Sequence, residues 1–224
     1  MKIGIIGSGV VGQTLGAKLV ERGEDVVLGT RSPGSVSDKR GFGQSLDGWL
    51  KATGGKARVG TFADAAAHGE IVINATSGTV SLEALSLAGE QNLRGKILID
   101  VSNPLDFSKG MPPTLTVCNT DSVGEQIQRA FPEAKIVKTL NTTNVNVMVD
   151  PRHVAGGDHD LFVSGNDAAA KARVTELLRQ WFGWRNVIDL GDITTARGVE
   201  MILPVWLRLW GALGSPMFNF KIAR

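Results

Sequence analysis

Residues 7–12, Gly7-Ser8-Gly9-Val10-Val11-Gly12, carry the most specific chemical pattern in the chain. The glycines recur at i, i+2 and i+5, directly after the apolar run 2–6 and ahead of a helical stretch lasting to about Arg22. Each answers a physical demand. Gly7 permits a tight turn, Gly9 lets the backbone approach a pyrophosphate, and Gly12 lets a helix pack closely on a strand. Gly16, one turn further on, extends that close packing. Free amides of Ser8, Gly9, Val10 and Val11 at the positive end of a helix suit phosphate oxygens. A glycine-rich turn without a ligand is the alternative. The strand before, the helix after and a second strand at the right distance favour a dinucleotide site.

The second strand decides which dinucleotide. Sites for NAD usually end it with an acid that accepts from the ribose 2′-hydroxyl. Here residues 25–28 run into Gly29-Thr30-Arg31-Ser32, with no acid. Arg31 suits a 2′-phosphate through a two-pronged, charge-assisted contact, and Thr30 and Ser32 add hydroxyl donors. NADP is therefore the expected cofactor; a solvated loop cation is the other reading of Arg31.

Three later strand ends supply small polar groups for the reacting end: Asn74-Ala75-Thr76-Ser77-Gly78, Asp100-Val101-Ser102-Asn103-Pro104 and Leu140-Asn141-Thr142-Thr143-Asn144. Ordinary strand-end turns and helix caps would look the same. Asn103, Asn141 and Thr142 are the positioning candidates, and no catalytic acid, base or nucleophile is assigned. The chain has no tyrosine, which excludes a Tyr–Lys proton-donor pair. Asp158-His159-Asp160 reads as a turn, because adjacent residues rarely converge on one ion, and no metal site is expected. Cys118, the single cysteine, reads as a packing residue. Arg197 and Glu200 have the spacing of an i,i+3 surface pair. Trp181, Trp184, Trp206 and Trp210 are core residues or an aromatic rim for a flat ring.

The elements that must position these groups are legible as alternation. Residues 2–6, 25–28, 57–60, 71–75, 96–101 and 134–139 read as strands apolar on both faces, which is the pattern of central parallel strands. Thr61–Asp64 and Ser122–Glu125 have capping-box spacing at the helix starts between them. Beyond them, residues 161–164 and 186–190 read as strands, 167–182 as a helix ended by Gly183, and 195–213 as one last helix. This is a Rossmann-type α/β fold, a doubly wound, mainly parallel sheet with a small α/β carboxyl-terminal extension. The expected division is a dinucleotide-binding domain over 1–140 and a small subdomain over 141–224 that closes the acceptor site. Two long loops, 32–56 and 102–120, stand out.

With 224 residues, 42% hydrophobic and 21% charged, the chain can bury one sizeable core. A net charge of +2 gives no nucleic-acid footprint. One cysteine rules out an internal disulfide and fits a reducing compartment. The apolar run near the amino terminus breaks into glycines too soon for a signal h-region. The apolar stretch 199–213 still holds Glu200, Pro204 and Arg208. A cytoplasmic protein with no membrane or nucleic-acid partner is expected, with a homodimer through the last helix as a possibility.

The glycine pattern, the Thr30-Arg31-Ser32 strand end and the run Ala196-Arg197-Gly198-Val199-Glu200-Met201-Ile202-Leu203-Pro204 together resemble the F420-dependent NADP oxidoreductases. Asp100-Val101-Ser102-Asn103-Pro104 and Val137-Lys138-Thr139-Leu140-Asn141-Thr142 are also similar to the cytosolic reductase domain of the STEAP metalloreductases. The first resemblance implies hydride exchange between NADP(H) and the deazaflavin F420, or a flavin in its place, with rings stacked and no protein nucleophile. It also implies a nicotinamide near Thr76, Ser77 and Asn103. Asn141 stands where archaeal members tend to have His, so the acceptor pocket differs there. An NADPH-binding sensor without turnover, or a reductase of a small carbonyl or imine, are the alternatives. The latter usually carries a larger helical domain than the residues after the sixth strand provide.

Overall fold

The computed structural model describes residues 1–34 and 43–224; part of the loop expected over 32–56 lies outside them. The first half alternates β1 (Lys2–Ile6), α1 (Val10–Glu21), β2 (Asp25–Gly29), α2 (Leu46–Ala52), β3 (Ala57–Gly60), α3 (Phe62–His68), β4 (Ile71–Asn74), α4 (Ser81–Ala88), α5 (Glu90–Leu93) and β5 (Ile97–Asp100). A short hairpin of β6 (Leu105–Asp106) and β7 (Thr114–Leu115) follows, inside what the sequence suggested was a plain loop. Then come α6 (Val123–Ala130), β8 (Lys135–Thr139), α7 (Val145–Val149), β9 (Asp160–Ser164), α8 (Ala168–Phe182), β10 (Asn186–Asp189), α9 (Ala196–Met201) and α10 (Leu203–Leu213).

Eight strands form one sheet in the order β10-β9-β8-β5-β4-β1-β2-β3. Every neighbouring pair is parallel except β8 with β9, where Lys138 faces Ser164 and Thr139 faces Val163. The order turns back at β1, with β2 on one side and β4 on the other, so the carboxyl end of β1 lies at the switch point where such sheets bind ligands. The boundary expected at residue 140 does not interrupt the sheet, because β9 and β10 continue it past β8.

Apolar side chains on both faces explain the near-continuous Val/Ile runs. Ile3, Ile5 and Leu28 pack with Leu15, Leu19 and Trp49 on one side; Ile6, Val27 and Val72 pack with Phe62, Leu85 and Ile127 on the other. Each side chain of this size contributes about 1.5–3 kcal/mol on burial. Thr61 and Asp64 form the expected reciprocal capping box. Ser122 accepts from the Glu125 amide, but the Glu125 carboxylate turns instead to the Ser122 hydroxyl and Arg197.

The last helix is two helices rather than one. Pro204 has no amide to donate back into the preceding turn, so the ladder is interrupted beside Ile202, which itself keeps helical backbone angles. Val205, Trp210 and Leu213 on α10 are exposed, whereas Trp181, Trp184 and Trp206 are buried. Only the core reading therefore applies to those three tryptophans. Among the described residues, no helix is long and apolar enough to cross a membrane.

Candidate functional site

A cavity of about 560 Å³ opens at the carboxyl end of β1. Gly7, Ser8 and Gly9 form its floor, Thr30, Arg31 and Ser32 one side, and Thr76 and Ser77 the other. Three segments far apart in sequence thus meet in one space. Phe62 and Glu83 also line it, and nothing in the sequence had singled them out.

The glycines divide their tasks as physics requires. Gly7 has φ +115°, and a Cβ there would sit 2.7 Å from the Ala75 carbonyl oxygen. Gly12 would place a Cβ 1.9 Å from the Gly7 carbonyl oxygen, so α1 packs on this turn only because that side chain is absent. Gly16 would drive a Cβ to within 2.8 Å of the Trp49 ring. At Gly9 nothing lies within 4 Å. Its missing side chain leaves open space instead of relieving internal crowding, as expected where the protein backbone must come close to a ligand. Gly9 is also the amino-terminal cap of α1, with no side chain capping it, so the first-turn amides keep their donor capacity.

Strand ends hold the two walls. The Gly7 amide donates to the Gly29 carbonyl at 3.1 Å, and Ala75 to Ile6 at 2.8 Å. Thr30 is buried; its amide donates to Gly60 at 3.0 Å, and its hydroxyl lies 3.5 Å from the Ser32 amide. Arg31 is exposed at the cavity edge. Val10, Val11 and Gly12 form the first turn of α1 behind the floor. Gln13 was missed. Its amide donates to the carbonyls of Ser8 (3.0 Å) and Gln44 (2.8 Å) and accepts from the Gln44 amide (3.0 Å), clamping the residues before α2 to the glycine turn. A buried polar residue on the apolar face of α1 was the available signal.

Behind Thr76 lies a buried polar chain. Asn74 and Asp100, expected at the crevice, are fully enclosed instead. The Thr76 hydroxyl donates to Asn74 Oδ1 at 2.7 Å, and Asn74 Nδ2 donates to Asp100 Oδ1 at 2.9 Å and Ser81 Oγ at 3.1 Å. Asp100 Oδ2 faces Lys138 Nζ at 2.8 Å, and the same ammonium lies 2.8 Å from Glu200 Oε1 and donates to the Ser102 carbonyl at 2.6 Å. Burial pulls the Lys138 ammonium toward neutrality, but the two carboxylates outweigh it and hold it above the ordinary lysine value. Glu200 also accepts from the Val123 and Gly124 amides at 2.8 and 3.0 Å, the amino terminus of α6.

The surface pair expected of Arg197 and Glu200 is therefore absent. Glu200 is 1% exposed, and Arg197 pairs with Glu125 at 2.5 and 2.8 Å. That guanidinium lowers the Glu125 pKa against the opposing effect of burial. Spacing of i,i+3 brings two side chains to one helix face, but here Glu200 is drawn inward to Lys138 and the α6 amides while Arg197 stays part-exposed. Lys138 had its own signal: a lysine inside the apolar central strand Lys135–Thr139.

The positioning candidates Asn103, Asn141 and Thr142 are not among the residues that line the cavity. Asn103 and Asn141 bond reciprocally at 2.8 and 3.0 Å, and Asn141 Nδ2 also donates to the Val199 carbonyl at 3.0 Å. Asn103 carries the Gly78 amide on its own carbonyl at 3.0 Å. Thr142 is buried beside them. Cys118 is exposed, contrary to the packing role expected of it. His159 is buried, 2.9 Å from the Pro151 carbonyl and edge-on to Trp184, and the described residues hold no group of metal ligands.

A parallel doubly wound sheet with a glycine turn at its switch point defines the Rossmann class of dinucleotide-binding proteins. Residues 2–104 match the model of the family described as NADP oxidoreductase, coenzyme F420-dependent. The crystal structure of a candidate F420-dependent NADP reductase from Arthrobacter sp. FB24 superposes with a TM-score of 0.95 at 57% identity, over 100% of both chains. The chain belongs to this NADP oxidoreductase family. Rat metalloreductase STEAP3 is 30% identical over 210 residues, 92% of this chain and 38% of that protein's length. The chain thus spans well under half of this curated relative. An imine reductase from Myxococcus stipitatus, in complex with NADP+, shares the fold at a TM-score of 0.63 and 14% identity, over 96% of this chain and 63% of its own.

Proposed function

We propose that this enzyme passes a hydride directly between NADP(H) and a deazaflavin such as F420, or a flavin-like ring in its place. The observation that carries the reading is the cavity wall. Among the described residues lining it, the titratable groups are Arg31 and Glu83; no histidine, lysine or cysteine is there to donate or accept a proton. Hydride exchange between two rings needs none.

The residues present fit NADP. The first-turn amides of α1 and the open space over Gly9 would hold the pyrophosphate, and Gly7 and Gly12 hold that turn in place. Arg31, on the cavity edge, would hold the 2′-phosphate, with Thr30 holding the turn through Ser32. Thr76 and Ser77, on the opposite wall, would meet the nicotinamide half. The bound dinucleotide supplies or takes the hydride; the chain orients it and excludes water. Residues 141–224 close the acceptor side, a role supported by the Asn103–Asn141–Val199 bonds that fasten α9 to the β5 and β8 ends.

Turnover tests this. Purified protein with NADPH and oxidised F420, FAD or FMN is expected to consume absorbance at 340 nm with at least one acceptor, and more slowly with NADH. Tight NADPH binding with every acceptor inert would establish a sensor instead.

A further inference from the structure

The Asn74 side chain decides which way the Thr76 hydroxyl proton points. Asp100 receives donors at every contact: Oδ1 from Asn74 Nδ2 (2.9 Å) and the Ser102 amide (3.1 Å), Oδ2 from Lys138 (2.8 Å). A carboxylate so placed accepts only, and the Asn74 amide must present its NH2 to it. The Asn74 carbonyl is then left facing Thr76, taking its hydroxyl at 2.7 Å and its backbone amide at 3.3 Å. Ser81 does not relax this. Its oxygen lies 2.8 Å from Thr76 Oγ1 and accepts from Asn74 Nδ2, while its own proton reaches the Ser77 carbonyl at 3.1 Å. In either arrangement of the two hydroxyls, the proton of Thr76 is used inside the protein.

We infer that Lys138, Asp100 and Asn74 act as positioning residues that make Thr76 an obligate hydrogen-bond acceptor toward the cavity, selecting an N–H or O–H donor on the nicotinamide riboside. The inference rests on the cofactor assignment proposed above. The half of the ligand follows from the sheet order β2-β1-β4-β5. With the phosphorylated adenosine at Arg31 beside β2 and the pyrophosphate at the β1 turn, the other half crosses to the β4 end, where Thr76 lines the cavity. Two donors there share one chemistry, the carboxamide NH2 and a ribose hydroxyl. A flipped Asn74 would reverse the preference, because Thr76 would then have a proton to give.

Affinity for NADPH and for its 3-acetylpyridine analogue, which lacks the amide NH2, is measured by calorimetry on the full chain. Thr76→Val is expected to weaken NADPH about three- to tenfold, the span of one neutral hydrogen bond, and Thr76→Ser to restore it. If the analogue is unaffected by Thr76→Val, the donor is the carboxamide; an equal loss makes it the ribose hydroxyl. Asp100→Asn frees Asn74 to flip and should match the loss in Thr76→Val, with no further loss in the double variant. Thr76→Val without effect, or Asp100→Asn without effect in a protein where Thr76→Val has one, overturns the wiring. Neutron diffraction on deuterium-exchanged native crystals reads the proton directly and needs no variant. A deuteron on the Thr76–Asn74 line or shared with Ser81 supports the wiring, and one pointing into the cavity overturns it whether or not NADPH binds. Wild-type protein that binds no NADPH, with the deuteron held inside, fails the cofactor reading alone.

Discussion

Lys138→Met should be the most destabilising single change at this end of the sheet. Methionine fills nearly the same volume, so the test isolates charge. Lys138, Asp100 and Glu200 are 0%, 0% and 1% exposed, with both carboxylates 2.8 Å from the ammonium. Removing one partner of a buried pair generally costs about 3–5 kcal/mol, because the other is left uncompensated. Here each carboxylate keeps two N–H donors, Asn74 and Ser102 on Asp100, and Val123 and Gly124 on Glu200. That retained support puts the expected loss near the lower end, about 3 kcal/mol. For a chain of this size it lowers Tm by roughly 6–12 °C. Urea unfolding at neutral pH with an unchanged m-value, together with a thermal melt, measures it. A loss below about 1 kcal/mol would refute the reasoning, since it would mean the two carboxylates do not depend on the ammonium. The pKa of Lys138 is raised from 10.5, so its contribution is full below that value and lost only as pH rises through the higher folded value. It therefore gives wild-type stability no slope between about pH 6 and 9.

Arg31→Glu should weaken NADPH at least about tenfold while NADH changes little, because only the former carries the 2′-phosphate a guanidinium clamps; equal loss for both by titration would contradict the assignment. The glycines should separate by assay. Gly9→Ala has no atom within 4 Å and should change stability by less than about 0.5 kcal/mol while reducing NADPH affinity. Gly12→Ala, 1.9 Å from a backbone oxygen, should cost about 1–3 kcal/mol in urea even without ligand. Asp121 is lowered from 3.8 to about 2, first by its hydrogen bond to Arg129. Its contribution is present above 3.8 and is lost as pH falls toward 2, so Arg129→Met should flatten the acid limb of a stability–pH series there.

What was legible in the sequence was what depends on local spacing. The β1–α1–β2 unit followed from three glycines and two apolar runs, and its wall residues converge on one cavity. Strand bounds fell within a residue or two because parallel strands buried on both faces announce themselves as Val/Ile runs. Tertiary burial was not legible. Arg197 and Glu200 share a helix face, yet only the packing of α9 on α6 turns Glu200 inward and gives Arg197 to Glu125. Asn74 and Asp100 sit at strand ends as expected, but both are fully buried, with Asn74 bonded to Ser81 at the start of α4. Pro204 is visible in the sequence, and its missing amide interrupts the hydrogen-bond ladder between α9 and α10.

The buried cluster bears on how the carboxyl-terminal third relates to the site. Lys138 lies on β8, the strand where the sheet changes from parallel to antiparallel, and Glu200 reaches it from α9. An ion triad here is a poor choice for stability alone, because apolar residues of similar volume often serve as well or better. An apolar set could not, however, hold the Asn74 amide in one orientation, which requires an acceptor at Asp100 Oδ1 and no donor. If the triad serves orientation, Glu200→Gln should be tolerated better than Lys138→Met, since Lys138 would still hold Asp100 as an acceptor. Its NADPH affinity should then stay within about twofold of wild type. A Glu200→Gln protein that folds normally yet loses NADPH as strongly as Asp100→Asn would show instead that α9 acts on the cavity by another route.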